Sequence, residues 1–511
     1  MAITDNKKYT KEQIYNLLEE VKGKTLGEVD KSHQFDRTQK SEKITGIAGD
    51  VIEQSVFGYN RDSDQECDME IDGVLTELKT TGVRIPKNLL KRVKSKTGDA
   101  YNIYLGAKEG ISITRVTFEP TIQTDFETSH FWEKSQHLLI VFYEYKSYGK
   151  VTASGYANFP IVDYCYNSFS SEEKAKLQND WEIVRDYLQD IYTEYQDTDS
   201  RYEHLIGFTH ILRPQLLLIE LVPGFKRRGT SAYQKPRYRL KKTFVDYIVH
   251  GHFDKSRAKN EIALKDSFSS FAQLDARCQA LSLKYKGMTL PELKDALGIE
   301  GNMKNIASTC VIRMFGTKCK RLNQISDFTK AGIIAKTITI TPKGKKTEDM
   351  KLAHIDFEEW TNQDADFEDS DVYSYFFEHS FLCPIFCEYD ANDPSKTTFE
   401  GFKRFSFDDD FIENEVRRTW EDSRNLIHRN ELVWEYKYNK QGEKLINGSG
   451  AYKGAPNLPK SSNYNVFFRG GSSVSNNKTR TECVNGVRML PQFFWLKGSY
   501  ITNKLKEIPF I

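Results

Sequence analysis

Apolar residues recur at helical spacing near the start of the chain: Ile14, Leu17, Leu18 and Val21 share one face of KKYTKEQIYNLLEEV. Thr10 and Gln13 have the spacing of a capping box that opens this helix. A second helix is predicted over 47–57, IAGDVIEQSVF. The period then changes. DMEIDGVLTELKT reads as two strand pieces joined by an Asp72–Gly73 turn, because an Asp-Gly pair tolerates the positive φ of a tight hairpin. HLLIVFY at 137–143 is apolar enough for a buried strand. The stretch 169–190 reads as a helix, with Leu177, Trp181, Val184 and Leu188 on one face. Residues 210–221 read as a strand broken at Pro214, and 238–249 as a strand running into a helix. Strands and helices interleave, which gives the α/β class.

The same pattern comes round twice. VIEQSVFG (51–58) resembles VIRMFG (311–316), and FWEKSQHLLIVFYEY (131–145) resembles FFEHSFLCPIFCEY (376–389). DWEIVRDYLQ (180–189) pairs with TWEDSRNLIH (419–428), Leu212–Arg213 with Phe468–Arg469, and RLKKTFV (239–245) with WLKGSYI (495–501). Each match is short, but five in one order point to a tandem repeat. The expected organisation is a domain over 1–255, a helical connection over 256–284 and a second domain over 285–511.

Length supports this division, since 511 residues exceed what one core usually serves. With 39% apolar residues and a net charge of +1, the chain can build cores, and its total charge neither favours nor excludes nucleic acid. No apolar run is long enough to cross a membrane and the N-terminus lacks a secretory h-region, so a cytoplasmic protein is expected. The eight cysteines are scattered without zinc-knuckle spacing, and no GxxxxGK[ST] supports ATP use.

One constellation carries chemistry. Asp68 lies nine residues before Glu77, and Lys79 follows two residues later. Strand alternation puts Glu77 and Lys79 on one face and sends Leu78 to the core. The hairpin can bring Asp68 beside them, making a hard oxygen site suited to Mg²⁺, with an ammonium at hand for a phosphate. The triplet alone is common in a chain with 28% charged residues, and Glu66, Glu70 and Asp72 are nearby decoys.

AGDVIEQ (48–54), ECDMEIDGVLTELKTTG (66–82), TSHFWEKSQHLLIVFYEY (128–145), HILRP (210–214) and YRLKKTFV (238–245) together resemble the MutH/Sau-type endonuclease family. The resemblance covers most of 10–250 and, more faintly, 300–505. It implies two tandem restriction-endonuclease domains with the PD-(D/E)xK core, the second a degenerate copy. It implies Asp68, Glu77 and Glu53 as metal ligands, with Lys79 as the catalytic lysine and Lys134 as a further active-site lysine. VLTELK is one residue longer than the usual VELK, to be absorbed as a shifted turn or bulge, and Cys67 replaces the usual Pro. In the second copy, Arg313 matches Glu53, Glu378 matches Lys134, Asp327 matches Asp68 and Lys336 matches Lys79. Ile334 then takes the place of Glu77, so this half would bind DNA without cutting it.

Two basic runs are candidate DNA contacts. One covers 83–96, with Arg84 and Lys87. The other covers 225–242, with Arg227, Arg228, Arg237 and Arg239; Arg213 precedes it. In the second half RGGSSVSNNKTR (469–480) holds the matching place, with Arg469, Lys478 and Arg480, and with Gly470 and Gly471 open to close backbone approach. The function implied by the resemblance is a type II restriction endonuclease, a site-specific deoxyribonuclease using Mg²⁺, cutting duplex DNA at 5′-GATC-3′ to leave 5′-phosphates. A strand-nicking repair endonuclease and a non-catalytic DNA-binding regulator are the alternatives. The expected partners are double-stranded DNA, a second copy of the chain on that DNA, and a cognate methyltransferase acting without stable binding.

Overall fold

A computed structural model describes residues 7–40, 44, 46–59, 66–84, 106–224, 234–253, 261–300, 305–345, 348–472, 474–476 and 478–511. The chain forms two compact units. The first comprises Met1–Ser147, Val151–Leu274 and Gln324–Gly332; the second comprises Tyr148–Lys150, Asp275–Asn323 and Ile333–Ile511.

The first unit holds strands β1 (Lys8–Tyr9), β2 (Met69–Ile71), β3 (Val74–Arg84), β4 (Gly106–Ala107), β5 (Ile111–Arg115), β6 (His137–Glu144), β7 (Ile161–Ser168), β8 (Ile219–Val222) and β9 (Arg237–Leu240). Its main sheet runs β1-β2-β3-β6-β7, with β4 on the far end of β3. β3 and β6 are parallel, and β6 and β7 antiparallel. The β2–β3 turn has positive φ at both Asp72 (48°) and Gly73 (82°), as the Asp-Gly pair predicts. The hairpin closes from Ile71↔Val74 to Met69↔Thr76 in uniform register. The residue added to VLTELK therefore produces no bulge. Leu138–Phe142 of β6 are at most 1% exposed, so the strand is covered on both faces, which explains its unbroken apolar run. Leu78 packs in a core with Ile14, Leu18, Val51, Ile52, Leu139 and Val141. The Thr10/Gln13 capping box is formed, and Ser170 with Glu173 forms another at the helix Ser171–Glu194.

A smaller antiparallel sheet has the order β5-β9-β8. Here the strand predicted over 210–221 is corrected. Helix Thr198–Leu212 continues to the prolyl turn Arg213–Gln215, and only Ile219–Val222 is strand. Asp180 fixes its start by accepting the Leu217, Leu218 and Ile219 N–H groups at 2.8, 2.7 and 3.1 Å.

The second unit holds β10 (Ile333–Ala335), β11 (Ile338–Ile340), β12 (Met350–His354), β13 (Ser380–Cys387), β14 (Thr398–Ser406), β15 (Trp434–Tyr436), β16 (Gly454–Pro456), β17 (Val466–Gly470), β18 (Glu482–Val484), β19 (Val487–Met489) and β20 (Gln492–Leu496). β10 and β11 pair in parallel with successive halves of β13, so they act as one interrupted strand. β13 is antiparallel to β14. A separate sheet runs β12-β20-β17. This reproduces the strand order and directions of β3-β6-β7 and β5-β9-β8. The bulges also correspond, at Phe142/Tyr143 on β6 and Ile385/Phe386 on β13. The core of this unit is aromatic, with Trp360, Phe376, Phe381, Phe405, Phe411 and Trp420 in one cluster.

Register corrects two of the sequence pairings. Leu240 faces Ile219, and Leu496 faces Val466. With Leu240 equivalent to Leu496, Arg469 corresponds to Val222, not to Arg213, which lies in the turn before β8. The buried helix residues agree. Asp180 binds the start of β8, and Thr419 Oγ1 donates to Val466 O at 2.9 Å at the start of β17. Asp327, in turn, does not occupy the place of Asp68. It sits in the helix Ser326–Lys330 within the first unit, where it accepts bonds from Lys176 Nζ (3.0 Å), Ser267 Oγ and Leu264 N (3.1 Å). A buried carboxylate satisfied by an ammonium and local donors is a structural anchor.

Candidate active site

Three elements converge in the first unit. The helix Ile47–Val51 continues as a π turn, Ile52–Val56, and that turn carries Glu53. Such widened turns re-aim side chains and concentrate at functional sites. The matching helix of the second unit, Ile306–Met314, has no π turn, and its sequence is two residues shorter between Val-Ile and Phe-Gly. The second element is the β2–β3 hairpin, which supplies Asp68, Glu77 and Lys79. The third is the helix His130–Ser135, capped by Ser129, which supplies Lys134 from beneath β6.

Glu77 is the hub. Its Oε1 accepts from Lys79 Nζ at 2.6 Å and its Oε2 from Lys134 Nζ at 2.9 Å. Lys134 Nζ also donates to the Glu66 carbonyl. Glu77 is only 3% exposed. Burial alone would raise its pKa, but the two ammoniums outweigh this and hold it below the ordinary value. Lys79 is pushed down by burial and up more strongly by Glu77 and Asp68, so it stays protonated.

The other two carboxylates behave oppositely. Asp68 Oδ2 accepts the Leu78 N–H at 2.8 Å, which ties the hairpin across its own strand. Burial, then the Glu77 charge, pushes Asp68 up to about 6. Burial, then the charges of Asp68 and Asp50, pushes Glu53 up to about 8. The cluster thus has more buried negative charge than its two lysines compensate. Cys67, in place of the usual Pro, is buried and its thiol donates to Glu133 O at 3.4 Å.

Two groups here escape sequence reasoning. Tyr59 is buried with its hydroxyl lacking a hydrogen-bond partner, and burial followed by the Asp68 and Glu53 charges raises its pKa. The Glu66 carbonyl anchors Lys134. Neither carries a signal in the sequence, because a tyrosine and a main-chain oxygen are ordinary until the fold places them.

The expected DNA-contact residues are spread over several elements of the chain. Lys87, Arg227 and Arg228 lie outside the described residues. Arg84 ends β3, with its guanidinium 5.4 Å from the Tyr145 ring. Arg213 lies in the turn after Leu212, its carbonyl accepting from Lys241 Nζ. Arg237 faces Arg115 across β5–β9; burial and that like charge lower its pKa. Arg239 instead forms an ion pair with Glu220 at 2.8 Å. In the second unit Arg469 binds Asp349 at 2.7 Å, Lys478 is exposed, and Arg480 lies 4.2 Å from the Trp434 ring. Gly470 and Gly471 serve packing rather than an approaching ligand. A Cβ at Gly471 would come within 2.0 Å of the Phe493 ring, and one at Gly470 within 2.7 Å of Leu490. Among the described residues no helix is long and apolar enough to cross a membrane.

Residues 57–180 match the family of the DNA mismatch repair enzyme MutH. That span contains Asp68, Glu77, Lys79 and Lys134. The whole chain is 22% identical to the type II restriction enzyme Sau3AI of Staphylococcus aureus, an alignment covering 98% of this chain and 99% of that one.

Proposed function

We propose that this chain, which belongs to the MutH/Sau-type family of DNA endonucleases, is a type II restriction enzyme cutting duplex DNA at 5′-GATC-3′ with Mg²⁺ and leaving 5′-phosphate ends. The observation that carries the catalytic reading is the Glu77 hub, a half-buried and a buried lysine on one buried carboxylate with Asp68 and Glu53 beside it. The full-length match to a restriction enzyme favours this over a nicking repair enzyme, for which the shorter family match would suffice.

The donor set suits a hard divalent cation. Three carboxylates crowd one site, and burial, followed by the charges of neighbouring carboxylates, raises the pKa values of two of them. Among the described residues no three carboxylate, imidazole or thiol groups are spaced to enclose a metal. Both oxygens of Glu77 are engaged by lysines, so Asp68 and Glu53 would hold the cation first, with Glu77 joining as Lys79 or Lys134 turns to phosphate. A bound Mg²⁺ would supply charge neutralisation and activation of water.

The protein groups have their own tasks. Lys79, kept protonated by its carboxylates, donates from Nζ to the oxygen that gains charge as the phosphodiester is attacked. Lys134 holds Glu77 in place from below. Asp68, tied to the Leu78 N–H through Oδ2, would keep Oδ1 for the cation. The second unit is proposed to bind DNA without cutting it, and a second copy of the chain or successive cuts would account for both strands. The enzyme would act in the cytoplasm beside a methyltransferase that protects the host site.

The test is digestion of plasmid DNA with Mg²⁺ and mapping of the ends. Defined double-strand fragments whose ends all map to GATC sequences support the reading. Nicks alone favour the repair alternative, and binding without cleavage sinks the catalytic one.

A further inference from the structure

In the first unit the helix Thr198–Leu212 fills the chain between the long helix and β8. In the second, the same interval, between the helix Arg417–His428 and β17, forms an arm of β structure instead. β15 pairs with β16 at its base. Further out Tyr438 pairs with Lys444, and Ile446 with Tyr452, through tight turns at Gly442 and Gly450, both at positive φ.

Strand alternation sorts the side chains into two faces. One carries Trp434, Tyr436, Tyr438, Lys444, Ile446 and Tyr452. Tyr436 and Tyr452 meet edge to face at 5.8 Å, and Lys444 Nζ lies 3.8 Å from the Tyr436 ring centre. Tyr438 is 55% exposed, Ile446 57% and Tyr452 49%. Of these side chains Trp434, at the base of the arm, packs against the core of the unit. The acids Glu435 and Glu443 alternate onto the other face, where Glu435 is ion-paired with Lys460 and Glu443 accepts from Asn439 at 2.9 Å.

The arm is also joined to the loop after β17. Asn447 Nδ2 donates to Ser475 O at 2.6 Å, and Arg480 donates to Tyr452 O at 2.9 Å while covering Trp434. Tyrosine hydroxyls, Lys444 and Arg480 therefore make one continuous donor-rich face without a carboxylate.

We infer that this arm is a duplex-DNA contact of the second unit, its tyrosine–lysine face lying on phosphates at the groove edge. Tyrosine and lysine donate to phosphate oxygens, and a β ribbon has the width to enter a major groove. The inference rests on the DNA-endonuclease reading and adds the site through which the non-cutting half holds DNA.

The test uses the full chain, with fluorescence anisotropy on a labelled duplex in Ca²⁺ and cleavage in Mg²⁺. Changing Tyr436, Tyr438 and Tyr452 together to Phe keeps the ring packing and removes three donors; affinity should fall by about tenfold. Lys444→Gln should reduce the salt slope of binding by about one. Unaltered affinity and slope in both variants overturn the inference. If sedimentation of the DNA-free protein then shows a changed oligomeric state, the face joins copies of the chain. A parent chain that binds no duplex sinks the endonuclease reading as well; a parent that binds and cuts, with arm variants alike, sinks the arm alone.

Discussion

At one register position of the same parallel strand pair, the first unit carries Glu77 opposite Leu138 and the second carries Ile334 opposite Phe381. Two residues on, Lys79 and Lys336 hold equivalent places. Lys79 is surrounded by carboxylates that raise its pKa over the opposing effect of burial. Lys336 is lowered, first by burial and then by the like charge of Lys351, and its Nζ donates to the Lys351 carbonyl at 2.8 Å. The backbone has kept the position while the charge logic has reversed. A lysine in this strand is useful to phosphate chemistry only where carboxylates keep it charged, so strand order alone says nothing about activity.

The comparison breaks most sharply at Glu77. Glu77→Gln should reduce single-turnover cleavage on the order of 10³-fold or more while leaving duplex binding largely intact. The glutamine oxygen can still accept from one lysine, so folding should survive. Cleavage within a few-fold of the parent would mean that Glu77 is a structural anchor, as Asp327 is.

The reverse substitution addresses stability. Ile334→Glu places a carboxylate on a buried strand with Lys336 near but no aspartate hairpin. Glu378, which the sequence pairs with Lys134, caps the preceding helix instead. Thermal and denaturant unfolding should show a cost of roughly 2–4 kcal/mol in the second unit and no new cutting activity. A neutral outcome would show that this unit still holds a polar site.

Much of this is legible in the sequence. The Asp72–Gly73 turn, the buried β6 run and the Thr10/Gln13 capping box depend on local chemistry, and they form where the pattern puts them. The Glu53, Asp68, Glu77, Lys79 and Lys134 set rests on resemblance, and the fold brings the five together. What the sequence misplaces depends on long-range contacts. Asp327 has the right neighbours in sequence, yet its carboxylate turns to Lys176, 151 residues away. Arg213 and Arg469 share a dipeptide context but not a strand. Gly470 and Gly471 have the composition of a ligand loop, whereas Phe493 fills their space. The arm has a local signal that the repeat obscures: Trp434, Tyr436 and Tyr438 alternate with polar residues, the signature of a strand with one aromatic face.

The carboxylate imbalance predicts a pH dependence in the first unit. Asp68 and Glu53 have folded values of about 6 and about 8 against ordinary values of 3.8 and 4.5. Between those limits the folded state holds protons that the unfolded chain releases. Stability from these groups is thus lost as pH rises from about 4 to about 8. Glu77 acts the other way, but its contribution is lost only as pH falls below 4.5. Metal-free protein should therefore unfold at a lower temperature at pH 8 than at pH 6. Divalent cation should offset the difference and Glu53→Gln should reduce it. An unchanged slope in Glu53→Gln would remove Glu53 from the cluster.

The small sheets offer a finer contrast. Arg115 faces Arg237 in the first unit, where the second pairs His354 with Phe493, rings 5.1 Å apart. Two adjacent cations repel each other, whereas two rings pack together. Arg237→Gln should weaken duplex binding a few-fold and lower the salt slope by about one. Arg239→Gln, which frees Glu220, should act on stability instead. Equal effects of both on the slope would erase the distinction.

The smallest expected effect returns to Lys336. Its folded pKa lies below the ordinary 10.5, so at neutral pH the charged form is held at a cost to the folded state. The sign is that of a depressed base: the cost is present below the unfolded pKa and fades as pH rises toward it. Lys336→Met removes this cost but also the bond to Lys351 O, so unfolding of the second unit should shift by no more than about 1 kcal/mol. Cleavage should be unchanged, because no carboxylate at Ile334 makes this lysine part of a cutting centre. Loss of cutting with DNA binding intact would instead give the enzyme two interdependent centres, and the charge reversal between Lys79 and Lys336 would then mark a difference in role rather than the loss of one.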